Sequence, residues 1–334
     1  MKTNAYAVLE RGQELVPWSH DTASLKPHEV LVRVRACGIC HSDLHMMDND
    51  WQMTTYPLVP GHEIVGEVVE AGSAVTHLKT GTRVGVGWQR SACLHCEDCL
   101  RGNENLCNEM TGVITHGHGG FADYLVMDSR FCFPLPEDIS TESAGPLLCG
   151  GITVYAGLRH AGMSSGQRIG VIGVGGLGHM AVQFASKLGN VVTVFTTSED
   201  KAREAARLGA HHAILVRGNE LSQTPKRPFH LILCTAPASI SSELYLNLLA
   251  ADGTLCYVGV PSEPLSIPLF PLLVKRRRVM SSPIGGRAMM REMLETAAQF
   301  GVRPTIEKFP FGAVNRAIEK VRNNTIRYRA VLLA

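Results

Sequence analysis

Four cysteines crowd into one short stretch: Cys93-Leu-His-Cys96-Glu-Asp-Cys99, then Cys107 after seven intervening residues. Two CxxC steps place thiolates on tight turns where they converge, and a fourth closes a tetrahedron. Four thiolates with no open position make a structural zinc site. His95 is a competing donor, but the cysteines already fill the shell. The loop is rich in Glu, Asp, Asn and Arg, whereas free buried thiols favour apolar surroundings. Three further donors sit apart: Cys40 in Cys37-Gly-Ile-Cys40-His41-Ser42-Asp43, His62 in Gly61-His62-Glu63, and Cys149 in Leu147-Leu148-Cys149-Gly150-Gly151. Singly each is weak, since a Cys after two leucines is ordinary core and a His between Gly and Glu an ordinary turn. Cys37 and Cys40 also form a CxxC of redox or metal type, and spacing alone does not choose. A third constellation is Gly173-Val-Gly175-Gly176-Leu177-Gly178, preceded by the apolar run Ile169-Gly-Val-Ile. In a strand-to-helix turn the first Gly permits the bend, the second close backbone approach, and the third helix–strand packing. A pyrophosphate then rests on the helix N-terminus.

The elements that must position these residues fall into two textures. Val30 to Arg35 alternates apolar and charged residues, as a half-buried strand does. Ile64–Glu70, Arg83–Val86 and Ala122–Val126 continue as short β segments broken by glycines, which suggests a barrel-like β unit. After about residue 150, strands alternate with helices. The strands are Arg168–Val174, Val191–Thr197, Ala213–Val216, Leu231–Thr235 and Thr254–Val260, with helices from about Gly176 to Leu188 and Lys201 to Leu208. Such alternation signals a parallel, doubly wound sheet. A helix at about Gly286–Phe300 and a strand Arg329–Leu333 close the chain. The run Lys275-Arg276-Arg277-Arg278 is expected as a solvated turn before the last strand of the series.

Composition narrows the classes. The 334 residues carry 32 Lys and Arg against 30 Asp and Glu, a formal charge of +2, and so even a balance asks for no nucleic-acid or anionic-membrane partner. With 45% hydrophobic and 19% charged residues the chain can bury a large core, at a length that suggests two domains. No apolar run approaches the ~18 residues of a membrane span, and no apolar h-region follows Met1-Lys2-Thr3-Asn4-Ala5-Tyr6. The expectation is a soluble cytoplasmic protein. Ten cysteines without an export signal point to metal binding or catalysis rather than disulfides, and eight of them precede residue 150.

Together, CGICHSDLH, PGHEIVGEVVEAG, the four-cysteine loop and GPLLCGGITVY resemble the zinc-dependent medium-chain alcohol dehydrogenases, nearest the cinnamyl-alcohol-dehydrogenase-like branch with its bacterial broad-range aldehyde reductases. The resemblance runs from about Val30 to the RYRAVL ending. It implies an α/β fold, with a GroES-like catalytic domain at 1–150, a doubly wound Rossmann domain at 151–287, and residues 288–334 returning to the catalytic domain. Cys40, His62 and Cys149 match catalytic zinc ligands, a Cys₂His set with an open position, and the four-cysteine loop brings the count to two zincs per chain. Glu63 matches an acid that can swing toward the metal, and Asp43 a residue that orients His62. Cys37 becomes a bystander. Ser42 and His45 match a proton relay running through the nicotinamide ribose, and His41 a position near the cofactor pyrophosphate. Trp51 and Trp88, with Ile284 as a further candidate, match the substrate wall. Arg329 matches an arginine that reaches the cofactor. A homodimer through the Rossmann sheet edge is implied as well.

The cofactor expected is NADPH/NADP+. An NAD-binding Rossmann domain places an acid about 20 residues past the glycines. Here the strand Val191-Val192-Thr193-Val194-Phe195 ends in Thr196-Thr197-Ser198, three hydroxyls suited to a 2′-phosphate, with Lys201 nearby in sequence. Glu199, 21 residues after Gly178, is the rival ribose acid, although Glu199-Asp200-Lys201 has the look of an acidic first helical turn. The reaction expected is hydride transfer between NADPH and aldehydes, or primary alcohols in reverse. The alternatives are a zinc-free quinone reductase of the same superfamily, which would lack the three dispersed ligands, and a non-enzymatic zinc protein keeping only the four-cysteine loop.

Overall fold

The N-terminus pairs with itself: β1 (Lys2–Ala7) and β2 (Val16–Asp21) form an antiparallel hairpin. The alternating run then becomes β3 (Glu29–Ile39), the longest strand, with Arg33 and Arg35 outward and Val32, Val34 and Ala36 inward. It leads into α1 (His41–Met47). Next come β4 (Glu63–Ala71), β5 (Arg83–Val86), β6 (Gln89–Ser91), the short α2 (Glu97–Leu100) in the four-cysteine loop, β7 (Thr111–Gly112), β8 (Tyr124–Asp128) and β9 (Cys132–Pro134). The helix α3 (Thr141–Pro146) is N-capped by Ser140, whose Oγ accepts from Ser143 N at 3.3 Å. A π-helical turn, Leu147–Gly151, carries the chain into α4 (Ile152–His160).

Strands and helices alternate from there: β10 (Arg168–Ile172), α5 (Gly178–Lys187), β11 (Val191–Thr196), α6 (Glu199–Arg207), β12 (His212–Arg217), β13 (Glu220–Leu221), β14 (Phe229–Cys234), α7 (Ser242–Asn247), β15 (Leu249–Tyr257), α8 (Leu269–Leu273) and β16 (Arg278–Ser281). Their sheet has the order β13-β12-β11-β10-β14-β15-β16, parallel except for β13. The winding reverses at β10, with β11 on one side and β14 on the other, and ligands of open parallel sheets bind at such a switch point. Phe195 anchors the core of this sheet against Phe229 and Tyr245, ring centroids 5.6 and 5.2 Å away.

The chain ends with α9 (Arg287–Gln299), β17 (Ile306–Pro310), α10 (Val314–Arg322) and β18 (Arg329–Leu333). These last strands complete the first sheet, ordered β17-β18-β3-β4-β5-β9 with β8 also on β3. β18 runs antiparallel to the half of β3 nearest Cys40, Leu332 opposite Cys37 and Ala330 opposite Ile39. The computed structural model describes residues 1–237, 240–261 and 263–334. It divides into two units: Met1–Cys149 with Gly285–Ala298 and Arg303–Ala334, and Gly150–Ile284 with Gln299–Val302.

Several sequence expectations change: β8 runs Tyr124–Asp128 rather than the expected Ala122–Val126, and β10 stops at Ile172, short of Val174. The basic run is not a wholly solvated turn. Arg277 is 8% exposed, and its guanidinium donates to the carbonyls of Leu249 (2.8 Å) and Pro271 (3.1 Å), while Arg278 opens β16. A buried guanidinium is tolerated here because it satisfies backbone acceptors that water cannot reach. The strand expected at Thr254–Val260 starts at Leu249 and stops at Tyr257. Helix α4 had no periodic signature to read, because Ile152 through Leu158 are all buried and no polar face alternates with an apolar one.

The glycine loop illustrates how backbone geometry selects residues. Gly173 has φ of +89°, a left-handed conformation that a side chain would strain. A Cβ on Gly178 would fall 2.0 Å from the Gly173 carbonyl oxygen, whereas among the described residues one on Gly175 would meet nothing within 4 Å. Gly178→Ala should therefore lower stability by roughly 1–3 kcal/mol, and Gly175→Ala should leave it nearly unchanged. Urea denaturation without added nucleotide checks this, and equal losses in the two variants would contradict it.

Candidate metal centres and nucleotide loop

The first unit gathers two clusters of metal-binding side chains. Cys93, Cys96, Cys99 and Cys107 place their sulfurs within 4.8 Å of one another. Cys93 lies 3.9 Å from Cys99 and 3.5 Å from Cys107. Backbone N–H groups turn inward, Cys96 N to Cys93 Sγ at 3.3 Å and Glu109 N to Cys107 Sγ at 3.4 Å. Such donors favour thiolates: backbone hydrogen bonds, that of His95 first, draw the Cys93 thiol down to about 6. Burial holds Cys99 up at about 12, and metal binding would have to displace that proton. His95 turns its Nδ1 to the Cys93 carbonyl at 2.8 Å.

The second cluster assembles residues that are far apart in sequence. Cys40, His62, Glu63 and Cys149 are all buried, and a ligand atom of each lies within 4.8 Å of the others. Cys40 and Cys149 sulfurs are 3.9 Å apart, and His62 Nε2 is 3.2 Å from Cys149 Sγ. A tetrahedral zinc with bonds of ~2.3 Å to sulfur has an S–S edge of about 3.8 Å, so the spacing fits the ion. Two thiolates and an imidazole are also the donor softness zinc prefers.

Asp43 organises this cluster without joining it. It is fully buried in the first turn of α1, and its Oδ2 accepts the backbone N–H of Cys40 at 2.9 Å. Its Oδ1 accepts from Gly61 N at 2.9 Å and pairs with His62 Nδ1 at 2.9 Å. With the Nδ1 proton held there, Nε2 keeps its lone pair for the cluster. Glu63 forms a buried ion pair with Arg329. Burial pushes the Glu63 carboxyl up to about 8, against the pull of the guanidinium. Among the described residues Glu63 Oε2 has no hydrogen-bond partner, and a Cβ on Gly38 would lie 2.0 Å from it, so glycine at this position leaves room for the carboxylate. Cys40 is drawn well below the usual thiol range, by its contact with Cys149 first and by Arg329 as well, against burial. Cys37 is buried, its thiol pushed up by burial, and it takes no part in either cluster.

The remaining expected site residues fall as follows. Cys40 Sγ donates to Ser42 Oγ at 3.8 Å, and His41 is exposed at the start of α1. His45 Nδ1 is 2.7 Å from Asp50 Oδ2, both side chains nearly half exposed. Rings run outward from the cluster: Trp88 packs edge-on against His62 at 5.1 Å, Trp51 against Trp88 at 6.1 Å, and His45 against Trp51 at 5.2 Å. Ile284 belongs to the other unit. Arg329 is 4% exposed and committed to Glu63, with Nη1 3.9 Å from Cys40 Sγ, a partnership that no local pattern announced.

In the second unit, Gly173, Gly175, Gly176 and Leu177 link β10 to Gly178, the first residue of α5. Thr235 Oγ1 donates to the Ile172 carbonyl at 2.8 Å and steadies the turn. At the tip of β11, Thr196 is buried and its Oγ1 accepts from Ser198 N at 3.3 Å. Ser198 N-caps α6 by accepting from Lys201 N at 3.4 Å, and Thr197 is exposed. Glu199 is the first residue of α6, 3.9 Å from Arg203.

A closed four-thiolate cluster, a separate Cys₂His cluster and a doubly wound sheet with a glycine turn define a metal-dependent dinucleotide enzyme. Residues 26–137 match the alcohol dehydrogenase GroES-like domain, and residues 176–299 the zinc-binding dehydrogenase domain. An aldehyde reductase of Synechocystis is 40% identical over 98% of both chains. An NADP-dependent alcohol dehydrogenase C of Mycolicibacterium smegmatis is 39% identical over 98% of this chain and 97% of its own. The cinnamyl alcohol dehydrogenase of Sorghum bicolor superposes with a TM-score of 0.93 at 37% identity, covering 99% of this chain and 97% of that one. The chain belongs to the zinc-dependent medium-chain alcohol dehydrogenases, in their cinnamyl-alcohol-dehydrogenase-like branch.

Removing Asp43 tests how the second cluster is held. Asp43→Ala should weaken zinc there by roughly 10–100-fold and leave the four-cysteine cluster loaded. Zinc content after dialysis against a graded chelator measures it, and retention of wild-type affinity would contradict the assignment.

Proposed function

We propose that the protein reduces aldehydes with NADPH, holding one zinc in each cluster and working as a cytoplasmic homodimer. The membership established above makes it an oxidoreductase acting on alcohols and aldehydes. The observation that carries the reading is the buried Cys40–His62–Cys149 triangle, three donors supplied to one point by three separate segments. When bound, zinc polarises the carbonyl and the dihydronicotinamide supplies hydride. The chain's own residues hold, orient and exchange protons. Cys40, His62 and Cys149 would hold the metal, with Asp43 fixing the imidazole. Ser42 Oγ, beside Cys40 Sγ, would hand a proton toward the new alkoxide. His45, bonded to Asp50 and open to solvent, would replenish it. Trp88 and Trp51 supply an apolar wall beside the cluster that suits aromatic or alkyl aldehydes.

NADPH is favoured by the tip of β11. The Thr196 and Ser198 oxygens accept backbone N–H groups, so their hydroxyl protons stay available to donate to a phosphate. Glu199 belongs to the first turn of α6, where a helix stabilises an acid, and lies 3.9 Å from Arg203. Among the described residues nothing lies within 4 Å of where a Gly175 Cβ would stand, which suits close approach of a pyrophosphate to the backbone. All ten cysteines are free thiols, as in a reducing compartment, and among the described residues no helix is long and apolar enough to cross a membrane. The homodimer is supported by α8 and its flanks, where Leu269, Phe270 and Leu273 are at least 70% exposed beside the edge strand β16.

Steady-state assays with a panel of aldehydes should give a higher kcat/KM for NADPH than for NADH. Cys149→Ser should abolish turnover in a folded protein that retains a single zinc. A higher kcat/KM for NADH would overturn the cofactor preference, and full activity in Cys149→Ser would overturn the site. For the assembly, Phe270→Glu should convert a dimer to a monomer in sedimentation velocity, and a monomeric wild type would refute the dimer.

A further inference from the structure

The four-cysteine loop is fastened to α9 by a buried charge. Glu104 follows Cys99 in a 3₁₀ turn and is only 2% exposed. Its Oε2 accepts the Arg287 backbone N–H at 2.9 Å, and its Oε1 accepts from Arg287 Nε at 2.7 Å. These bonds outweigh burial and hold the Glu104 carboxyl below its ordinary range. The neighbouring backbones interlock: a Cβ on Gly286 would lie 2.0 Å from the Gly102 carbonyl and 2.6 Å from Glu104 Oε2. Arg287 also stacks over Phe131 at 5.5 Å. The first turn of α9 is thereby fixed in position and in rotation.

One turn further along α9, Met290 is 5% exposed. A Cβ on Gly87 would come within 3.2 Å of Met290 Cε and 2.6 Å of the Leu148 carbonyl oxygen. Gly87 is thus wedged between the helix and the residue preceding Cys149. It also precedes Trp88, whose ring packs on His62. We propose that Glu104 is a positioning residue for the Cys40–His62–Cys149 cluster: by fixing α9 it keeps Met290 behind Gly87, which braces Leu148 and Trp88 and so the ligands Cys149 and His62. The four-cysteine loop then serves the reacting site as well as its own stability. This rests on the reading that the second cluster holds zinc.

Zinc release from the holoenzyme to a chromogenic chelator tests it, with Cys40→Ser identifying the phase that belongs to the second cluster. Glu104→Gln and Met290→Ala should each speed that phase by about three- to tenfold, below the ~10–100-fold carried by direct partners of ligands. Met290→Leu should restore the slow rate. Because Met290 lies outside the four-cysteine loop, its variant separates bracing from loss of the loop's own zinc. Leu246→Ala in α7, buried in the core of the second unit, serves as a control that lowers stability away from α9 and from both cysteine clusters. Unchanged rates in both Glu104→Gln and Met290→Ala, or equal acceleration in Leu246→Ala, would overturn the proposal. A wild type with no phase assignable to Cys40 would overturn the zinc reading itself.

Discussion

The first unit depends on the buried carboxylate of Asp43. It binds three N–H groups, two from backbone and one from His62, and so ties the turn after β3 to the turn before β4. A buried carboxylate is costly unless its lone pairs are filled, and hydrogen bonds to a charged group contribute about 1.5–3 kcal/mol each. Asp43 therefore exacts one arrangement of both turns, and that arrangement aims Cys40 and His62 at a common point. The β3–β4 ladder ends at Gly38 opposite Glu63, and beyond that pair Asp43 joins the two turns that carry Cys40 and His62.

A second buried charge pair closes the same site from behind. Glu63 at the start of β4 meets Arg329 at the start of β18. The C-terminal strand thus does more than complete the sheet: it brings a permanent cation under two thiols and a carboxyl. Its charge favours the thiolate at Cys40 that a metal needs. Gly38 leaves room for Glu63, since any side chain there would occupy the position of Oε2. Charge, size and strand register are interdependent at this one place, where Ala330 pairs with Ile39 and β3 ends one residue before Cys40.

The nucleotide unit follows a different logic, built on backbone rather than on buried charge. Its central strands β10 and β14 are apolar in the middle, and the turn after β10 is built of glycine. Gly173 is there for its φ, Gly178 for contact with the Gly173 carbonyl, and Gly175 for the space outside it. The Thr196 and Ser198 hydroxyls at the tip of β11 take backbone donors into their lone pairs and so fix the turn into α6.

By itself the sequence determined whatever is local. The four cysteines lie within one loop, so their convergence follows from turn geometry, and the glycine turn likewise needs only its flanking strand and helix. Arg83–Val86 and Arg329–Leu333 were legible to the residue because apolar runs with sharp turn signals bound them. The dispersed ligands were individually weak as chemistry, and only their resemblance to a known pattern joined Cys40, His62 and Cys149. Tertiary structure alone decided the partners: Arg329 with Glu63, Glu104 with Arg287, and Met290 behind Gly87. Each joins segments more than 180 residues apart. A contact at that range leaves no periodic trace along the chain, because it is set by sheet register and helix rotation, quantities fixed only when the strands pair.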